Sequence, residues 1–561
     1  MSDLTNFVKD NVGDSISKES TTNTNEPIDG TFSGDAIKDE SSVNSLLCDR
    51  KPTVVSIIGF PGYGKTCFIA TTYQILLNEG KLDEFNFVDY DTFVGFERRI
   101  YMRRCTVLDE NSAPQTKRTL RGEGHILTLR FTHPHDGEKL IIITDRSGED
   151  YIDCANQKNK IKDHLLLKHS DYVLIFVDST ILLDCARMLE FSDTLSDLLT
   201  NIQQAQAIQE SAQIVIVFNK IDAVEVSAQF LNRSDTIEAL IKDKFPLNDI
   251  VSKKIVSNNI KNSNEIQQLF SEIVNFDTAA ITHNDRDYEG IDWVNNIIKQ
   301  KKMDNVLIAG LIGSGKSTLI GALAYAIKMG NCSYSFVDRP EDLTPLAKLY
   351  KPWLSLAPVN RTALGNSETF EFSLKKEVGS QVTISIPDYA GEDFERLISK
   401  QSDLLNHWGG EKNALIFLIK DFELDALEES FVTKVENRSI SPIHPFSLEL
   451  TTSQVKNILL LKELLKRVRW ESVVIGISAW DRYDDNYLPD AFLKEKAPVL
   501  YNFIRHNLPK AKIIGISAQG AEYTEALRQE LSDRTMNNTR SWSVINNEHV
   551  HDLTKILDLI S

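Results

Sequence analysis

The sequence predicts an α/β chain of two consecutive domains, each a mainly parallel sheet flanked by helices, behind a disordered N-terminal tail. Three observations carry that expectation. Apolar strand-like runs alternate with helix-periodic runs from Lys51 onward. A glycine-rich segment of pattern G-x-x-x-x-G-K-[ST] stands between a strand-like and a helix-like run twice, at Gly59–Thr66 and Gly310–Ser317. An acidic turn, D-x-x-G-E-D, closes an apolar strand-like run twice, at Asp145–Asp150 and Asp388–Asp393. The lysines of the glycine-rich segments stand 251 residues apart and the leading acids of the turns 243 apart, a whole domain's length and too long for a solenoid repeat.

Taken in order, residues 1–48 are rich in Ser, Thr, Asn and Asp, with Phe7 and Phe32 as aromatics. They read as a flexible acidic tail, with a partner-binding segment as the alternative. A first domain is expected over 51–280, with strands at Val54–Ile58, Ile126–Phe131, Leu140–Thr144, Tyr172–Asp178, Ile214–Phe218 and Lys254–Ser257. Its helices are expected after residue 66 and over 153–168, 190–210, 235–244 and 264–274. Residues 281–302 read as a polar linker running into a short helix. The second domain, 303–561, repeats the order with strands Val306–Ala309, Thr369–Leu374, Val382–Ile386, Ala414–Ile419, Val473–Ile477 and Lys512–Ile516. Its long helices are expected at 317–329, 453–468 and 490–507.

Composition narrows the function classes. A chain of 561 residues holds about two to four domains, and a hydrophobic fraction of 42% is ordinary for a globular protein. The net charge of −18 argues against a nucleic-acid or anionic-membrane binder, so no nucleic-acid partner is expected. Cys48, Cys67, Cys105, Cys154, Cys185 and Cys332 show neither CxxC nor metal spacing and fit reduced thiols in a cytoplasmic protein. The start, Met1-Ser2-Asp3-Leu4-Thr5, has no secretory signal, and no run approaches the ~18 apolar residues of a membrane span.

The glycine-rich segments have the chemistry of a phosphate cradle, the P-loop. Gly59, Gly62 and Gly64 let the backbone bend so that amides, Tyr63 and Cys67 included, point at an anion where a helix begins. Lys65 can reach the outer phosphates and Thr66 can offer a hydroxyl to Mg²⁺. Gly310, Gly313, Ser314, Gly315, Lys316, Ser317 and Thr318 repeat the set. Asp145 and Asp388, at strand ends, can hold Mg²⁺ through water, while the amides of Gly148 and Gly391 can meet the γ-phosphate. Thr119 stands 26 residues before Asp145, and Thr362 stands 26 before Asp388; each is assigned as a threonine that closes over Mg²⁺ and the γ-phosphate. Thr116 competes with Thr119 for that role. Arg118 and Arg361 sit beside these threonines as candidate cations, with a solvated or acid-paired role as the plainer reading.

Base recognition separates the halves. Asn219-Lys220-Ile221-Asp222 is an N-K-x-D motif after a strand. The Asp222 carboxylate would accept from guanine N1–H and N2–H₂ and, buried there, would be left unpaired by adenine. The stem of Lys220 would pack over the base, and Ser257 would close the base loop. The second half keeps Asp481 but has Ser478-Ala479-Trp480 in place of Asn and Lys, with Ser517-Ala518 as its base loop. Trp480 is expected either to stack on a base or to pack in the core, and His133-Pro134-His135 reads as a hairpin turn rather than a metal site.

These motifs, twice over, resemble the translation-factor-related class of P-loop GTPases. The tandem arrangement is similar to bacterial double-GTPase proteins of conflict and defence systems. The resemblance covers roughly 51–561 through Gly59–Thr66, Thr119, Asp145–Asp150, Asn219–Asp222, Gly310–Ser317, Thr362, Asp388–Asp393 and Asp481. It implies GTP or GDP with Mg²⁺ as cofactors, GTP-gated switching with hydrolysis, and a protein effector or regulator. Glu149 and Glu392 stand where many small GTPases carry a water-orienting Gln, which implies slow intrinsic turnover. The leading expectation is two switch sites. The alternative is one active GTPase domain beside a nucleotide-binding scaffold domain. An ATP-driven motor or kinase is a third reading, against which Asn219–Asp222 argues.

Overall fold

The computed structural model describes residues 32–38, 52–89, 91–107, 116, 119–122, 124–133, 137–257, 264–275, 305–330, 332–337, 344–357, 368–376, 381–400, 402, 404, 405, 408, 413–420, 448, 451–483 and 487–560. The first domain runs β1 Thr53–Ile58, α1 Lys65–Glu79, β2 Lys81–Leu82, β3 Phe85–Asp89, α2 Phe93–Val107, β4 Gly124–His133, β5 Gly137–Arg146 and α3 Gly148–Asn156. It continues through β6 Tyr172–Asp178, α4 Cys185–Gln204, β7 Gln213–Asn219, α5 Ala228–Lys244, β8 Ile250–Ile255 and α6 Asn264–Val274. The second runs β9 Asn305–Gly310, α7 Lys316–Met329, β10 Tyr334–Phe336, α8 Thr344–Leu354, β11 Glu368–Lys376, β12 Gln381–Asp388, α9 Gly391–Ile398 and β13 Asn413–Ile419. It ends with α10 Ser453–Arg467, β14 Trp470–Ser478, α11 Pro489–Lys496, α12 Pro498–Asn507, β15 Lys512–Ser517, α13 Arg528–Met536, β16 Trp542–Ile545 and β17 Glu548–Val550.

The first sheet has eight strands in the order β2-β3-β4-β5-β1-β6-β7-β8. Strands β5, β1, β6, β7 and β8 are parallel, and β4 is antiparallel to β5. Every residue of β1 and of β6 is buried, as expected for parallel strands covered on both faces. The second domain has a six-stranded sheet, β17-β16-β15-β14-β13-β9, and a three-stranded sheet, β10-β11-β12. Its β9, β13, β14 and β15 are parallel. The fold class is thus the expected α/β tandem.

Several boundaries differ, each for a local reason. The run 153–168 is not one helix: α3 starts earlier, at Gly148, because Ser147 Oγ accepts from the Asp150 amide and caps it. Two 3₁₀ turns follow, Lys158–Asp163 and Leu165–His169, burying Ile161, Leu166 and Leu167. The run 490–507 splits into α11 and α12 at Pro498, which has no amide hydrogen to continue the helix. The last parallel strand of the first domain lies at Ile250–Ile255 rather than at 254–257. The structure adds α2, α8, α9 and α13 and the short strands β2, β3, β10, β16 and β17 to the elements read from sequence.

The domains pack through α10 and α12 of the second against α1 and β3 of the first, and one apolar core runs across the seam. Asn502 Nδ2 donates to Gly80 O at 2.6 Å and Phe87 O at 3.0 Å, and Gln454 Nε2 donates to Leu77 O at 3.3 Å. Gly80 ends α1 in the left-handed region at φ 66°, and a Cβ there would stand 2.4 Å from Pro498 Cβ. Lys462 and Asp91 pair across the seam at 3.2 Å. Burial alone would raise the Asp91 carboxyl, but Lys462 and Arg130 together hold it below its usual value. The α1 end at this seam lies about 20 Å from the P-loop end of the same helix.

One part of the expected flexible tail is ordered. Phe32, Ser33 and Ala36 are buried, and Ile37 exchanges both backbone hydrogen bonds with Ile126, at 3.1 and 2.8 Å. Composition understated this segment because its partners lie far along the chain: Ile37 pairs with Ile126 of the first domain, while Ser33 N donates to Ile398 O of the second. The rest of 1–48, and the linker 281–302, lie outside the described residues.

Candidate functional site

The two glycine-rich loops have one backbone. Gly62 and Gly313 have φ 78° and 75°, and Gly64 and Gly315 have φ 89° and 85°. A Cβ at Gly62 or Gly313 would meet nothing within 4 Å, so both loops open toward solvent. Helices α1 and α7 begin at the lysine, with no side-chain cap and no acidic residue in the first turn. Their terminal amides are therefore not claimed by carboxylates. Lys65 Nζ folds back to Gly59 O at 2.6 Å and Phe60 O at 3.3 Å, and Lys316 Nζ to Gly310 O and Leu311 O at 3.0 Å each.

The D-x-x-G glycines are tied to these loops by close approach. A Cβ at Gly148 would lie 2.2 Å from Pro61 N, and one at Gly391 would lie 2.6 Å from Ile312 Cα. Only glycine lets each turn touch its P-loop backbone. Glu149 is tethered by Ser147 Oγ, which donates to its Oε2 at 3.1 Å. Glu392 is half-buried at the start of α9.

At the first site the residues singled out for metal converge. Asp145, at the end of β5, has a fully buried side chain. Thr66 Oγ1 donates to its Oδ1 at 3.4 Å and Thr119 Oγ1 to its Oδ2 at 3.1 Å. Thr116 instead lies against Cys67, with Oγ1 and Sγ 3.4 Å apart. These are hard oxygen donors, the set Mg²⁺ takes, so the residues present fit the ion. A residue that sequence reading missed completes the cluster. Arg99 of α2 donates through Nε to Asp145 Oδ2 at 2.7 Å and through a terminal nitrogen to Gly95 O at 2.6 Å. Its signal in the chain is an arginine pair, Arg98-Arg99, set among apolar residues.

The base side is organised by Asn219. Its Nδ2 donates to Tyr63 O at 2.8 Å and its Oδ1 accepts from Ser257 N at 2.9 Å, so it pins the P-loop to the base loop. Ser257 Oγ is buried without a hydrogen-bond partner. Lys220 adopts φ 60° and its Nζ meets Asp178 Oδ2 at 2.6 Å. Burial would raise the Asp178 carboxyl, but Lys220 and Thr180 hold it below its usual range. Asp222 is exposed at its loop. The burial expected around its carboxylate is not provided by the protein, because the turn that carries it, Ile221–Ala223, buries no residue.

The second site keeps the backbone and changes the side chains. Ala479 adopts φ 53°, as Lys220 does at φ 60°. Ser478 occupies the place of Asn219: a Cβ on Gly315 would stand 3.9 Å from Ser478 Cβ, where one on Gly64 would stand 2.1 Å from Asn219 Nδ2. Ser478 Oγ and Ser314 Oγ are buried without hydrogen-bond partners. The base loop is tied to Asp481 instead, which accepts from Ser517 Oγ at 2.5 Å. Trp353 Nε1 holds Ala518 O at 2.8 Å from behind. Trp480 is a core residue, packed on Phe492 and on the backbone of Gly515, and does not face a base. Ser317 and Thr318 open α7 as Thr66 and Cys67 open α1. Thr362, Arg361 and Arg118, and the side chain of Asp388, lie outside the described residues.

A family model described as Double-GTPase 2 matches residues 53–276, and one described as Double-GTPase 1 matches residues 307–560. The chain is a tandem double GTPase. Its domains are of a guanine-nucleotide-binding kind. Among solved structures, translation elongation factor SelB from Methanococcus maripaludis in complex with the GTP analogue GppNHp is similar at 12% identity over 40% of this chain and 34% of that one, with a TM-score of 0.22. The Arl6 BBS3 small GTPase from Trypanosoma brucei with bound GppNp is similar at 14% identity over 40% of this chain and 99% of that one, with a TM-score of 0.22. The double GTPase spans about a third of the length of the SelB chain. No curated protein matches it. Among the described residues, no helix is long and apolar enough to cross a membrane, and no group of His, Cys, Asp and Glu is placed to hold a metal by itself.

Helix α3 of this double GTPase, which starts at the D-x-x-G glycine, carries a pH-sensitive support. Cys154 Sγ lies 3.3 Å from His164 Nε2, and the His164 ring packs on Tyr151. Burial pushes the Cys154 thiol up to about 12 and, with Arg146 nearby, pushes His164 down to about 3. His164 is therefore neutral in the folded protein, while the unfolded chain binds its proton below 6.5. As pH falls from 6.5 toward 3, this group should remove about 1.4 kcal/mol of stability per pH unit. Thermal melts at stepped pH should show a shallower acid slope for His164→Gln than for the parent chain. Equal slopes would show that His164 is not the group responsible.

Proposed function

We propose that the protein is a GTP-binding and GTP-hydrolysing molecular switch with a nucleotide site in each domain. The observation that carries this is the gathering of Thr66 from the start of α1, Thr119 from the segment before β4 and Asp145 from the end of β5, at one buried carboxylate beside the P-loop. Lys65 and the α1 amides bind the phosphates, and Asp222 reads guanine. Thr66, Thr119 and Asp145 would hold Mg²⁺, which when bound neutralises charge on the β- and γ-phosphate oxygens. Thr119 and Gly148 hold the γ-phosphate end and let go when it leaves, which is the switch. Glu149, in place of a neutral amide, repels the phosphate and makes a poor water-orienting group, so turnover is slow. The same roles fall to Lys316, Ser317, Thr362, Asp388, Gly391 and Glu392 in the second domain. The tandem architecture and its resemblance to defence-associated proteins support a cytoplasmic regulatory role, exerted through a protein effector.

A second reading is favoured by one observation: Ser478 does not make the bridge that Asn219 makes. In that reading the second domain is a nucleotide-stabilised scaffold and only the first turns over. The hydrogen bond from Ser517 to Asp481 makes Asp481→Ala the discriminating variant. With two working sites, equilibrium dialysis with a non-hydrolysable GTP analogue should show second-site affinity falling about tenfold to a hundredfold, since a ring-edge carboxylate contact is worth ~1.5–3 kcal/mol. An unchanged stoichiometry and affinity would favour the scaffold. Binding of ATP in preference to GTP would remove the guanine assignment altogether.

A further inference from the structure

We propose that residues 32–35 couple the two nucleotide sites, by tying the C-terminal end of α9 in the second domain to Arg99, the cation that holds Asp145 in the first. This rests on the reading of Asp145 and Gly391 as switch elements.

The connection is a short, unbroken series of hydrogen bonds. Ser33 N donates to Ile398 O, the last residue of α9, at 3.2 Å. The next residue, Gly34, accepts through its carbonyl from Gly95 N at 3.2 Å. Gly95 O accepts from Arg99 at 2.6 Å, and Arg99 Nε donates to Asp145 Oδ2 at 2.7 Å. Parallel contacts fix the segment to both domains. Ser33 Oγ donates to Glu463 Oε1 of α10 at 2.8 Å, and Asp35 Oδ1 accepts from Arg98 Nε at 3.1 Å. The Arg98 guanidinium carbon lies over the Phe32 ring, 5.6 Å from the ring centroid.

The segment has little slack. Gly34 sits at φ 86°, and a Cβ there would come within 3.3 Å of Leu459 Cδ2. A Cβ on Gly95 would meet Ala36 N at 2.8 Å, so α2 is pressed on the strap. At its other end α9 begins at Gly391, the residue packed on the second P-loop. A shift of α9 as Gly391 engages or leaves that loop is therefore transmitted to Gly95 and to the Arg99 guanidinium. Arg99 and a divalent cation draw on the same Asp145 carboxylate, so its placement sets how strongly the first site holds Mg²⁺. On this proposal α9 is the element that takes two arrangements, and the strap is the physical link that lets both sites bias it.

The test uses the full chain, a fluorescent non-hydrolysable GTP analogue and stepped Mg²⁺. The reading is the Mg²⁺ concentration for half-maximal analogue retention at the first site, in the parent chain and in Lys316→Ala. We expect Lys316→Ala to move that midpoint about threefold to tenfold. In a Ser33→Pro/Asp35→Ala background the same change should move it by less than about twofold. A strap that only stabilises the fold would lower the melting temperature and leave the shift intact, which overturns the proposal, as does a parent chain with no shift. Should the strap variant fail to fold, amide exchange decides. In Lys316→Ala, analogue at the first site should change exchange across Gly391–Ile398, and unchanged exchange there overturns the coupling. Analogue binding at neither site would instead refute the site assignments.

Discussion

Lys65→Ala should lower guanine-nucleotide affinity at the first site by at least ~100-fold and cut the stoichiometry from two per chain to one. Lys65 Nζ is buried and already turned into the loop, on Gly59 O and Phe60 O. Charge-assisted hydrogen bonds to phosphate are worth ~1.5–3 kcal/mol each, and the ammonium supplies at least two. Titration with a non-hydrolysable GTP analogue, with ATP as competitor, measures both quantities. Lys316→Ala is the paired comparison, because Lys316 makes the same two carbonyl contacts at 3.0 Å. If each lysine removes one nucleotide, both sites are switches of the same kind. If the parent chain binds one nucleotide, lost with Lys65→Ala alone, the second domain is a scaffold. If no guanine nucleotide binds, the functional proposal fails.

Asp145→Ala should destabilise the folded protein by about 3–5 kcal/mol, because it leaves the buried Arg99 guanidinium without its counter-ion. The pair is almost wholly withdrawn from water, with side-chain exposures of 7% for Arg99 and 0% for Asp145, so solvent cannot replace the lost carboxylate. Urea denaturation should show the loss, and Asp145→Ala/Arg99→Leu should recover most of it, since an uncharged pair carries no desolvation cost. A single variant as stable as the parent would mean that Arg99 finds another acceptor and that the ion pair does not organise the site. Asp145→Ala should also abolish the Mg²⁺ dependence of nucleotide retention at the first site. The double variant should not restore that dependence, which separates the structural role of Asp145 from its ligand role.

Much of this was legible in the chain because it is written locally. A phosphate cradle needs glycine at positive φ and a helix start directly after it, and both needs are met within eight consecutive residues, Gly59–Thr66. Thr119 was found by its spacing to Asp145, which the second half repeats, and the structure places the two in hydrogen-bond contact. Asn219 was legible as part of a motif. Its work of pinning Tyr63 O to Ser257 N was not, because the partners lie 156 and 38 residues away. Arg99 escaped for a similar reason: nothing in α2 shows which carboxylate it meets, 46 residues on. Trp480 was left between two roles by its sequence position, and the packing of Phe492 and Gly515 around it assigned it to the core.

The sequence by itself determined two P-loop domains of α/β class, their order, and most of the residues proposed to surround phosphate and metal. These depend on backbone geometry over a few residues and on strand and helix periodicity, which short windows carry. Tertiary structure alone decided how the domains meet, with α10 and α12 of the second on α1 and β3 of the first. It also decided that Phe32–Lys38, polar by composition, is ordered between them. The physical reason is that burial belongs to a surface made by two distant parts of the chain, and no local pattern encodes contacts between them.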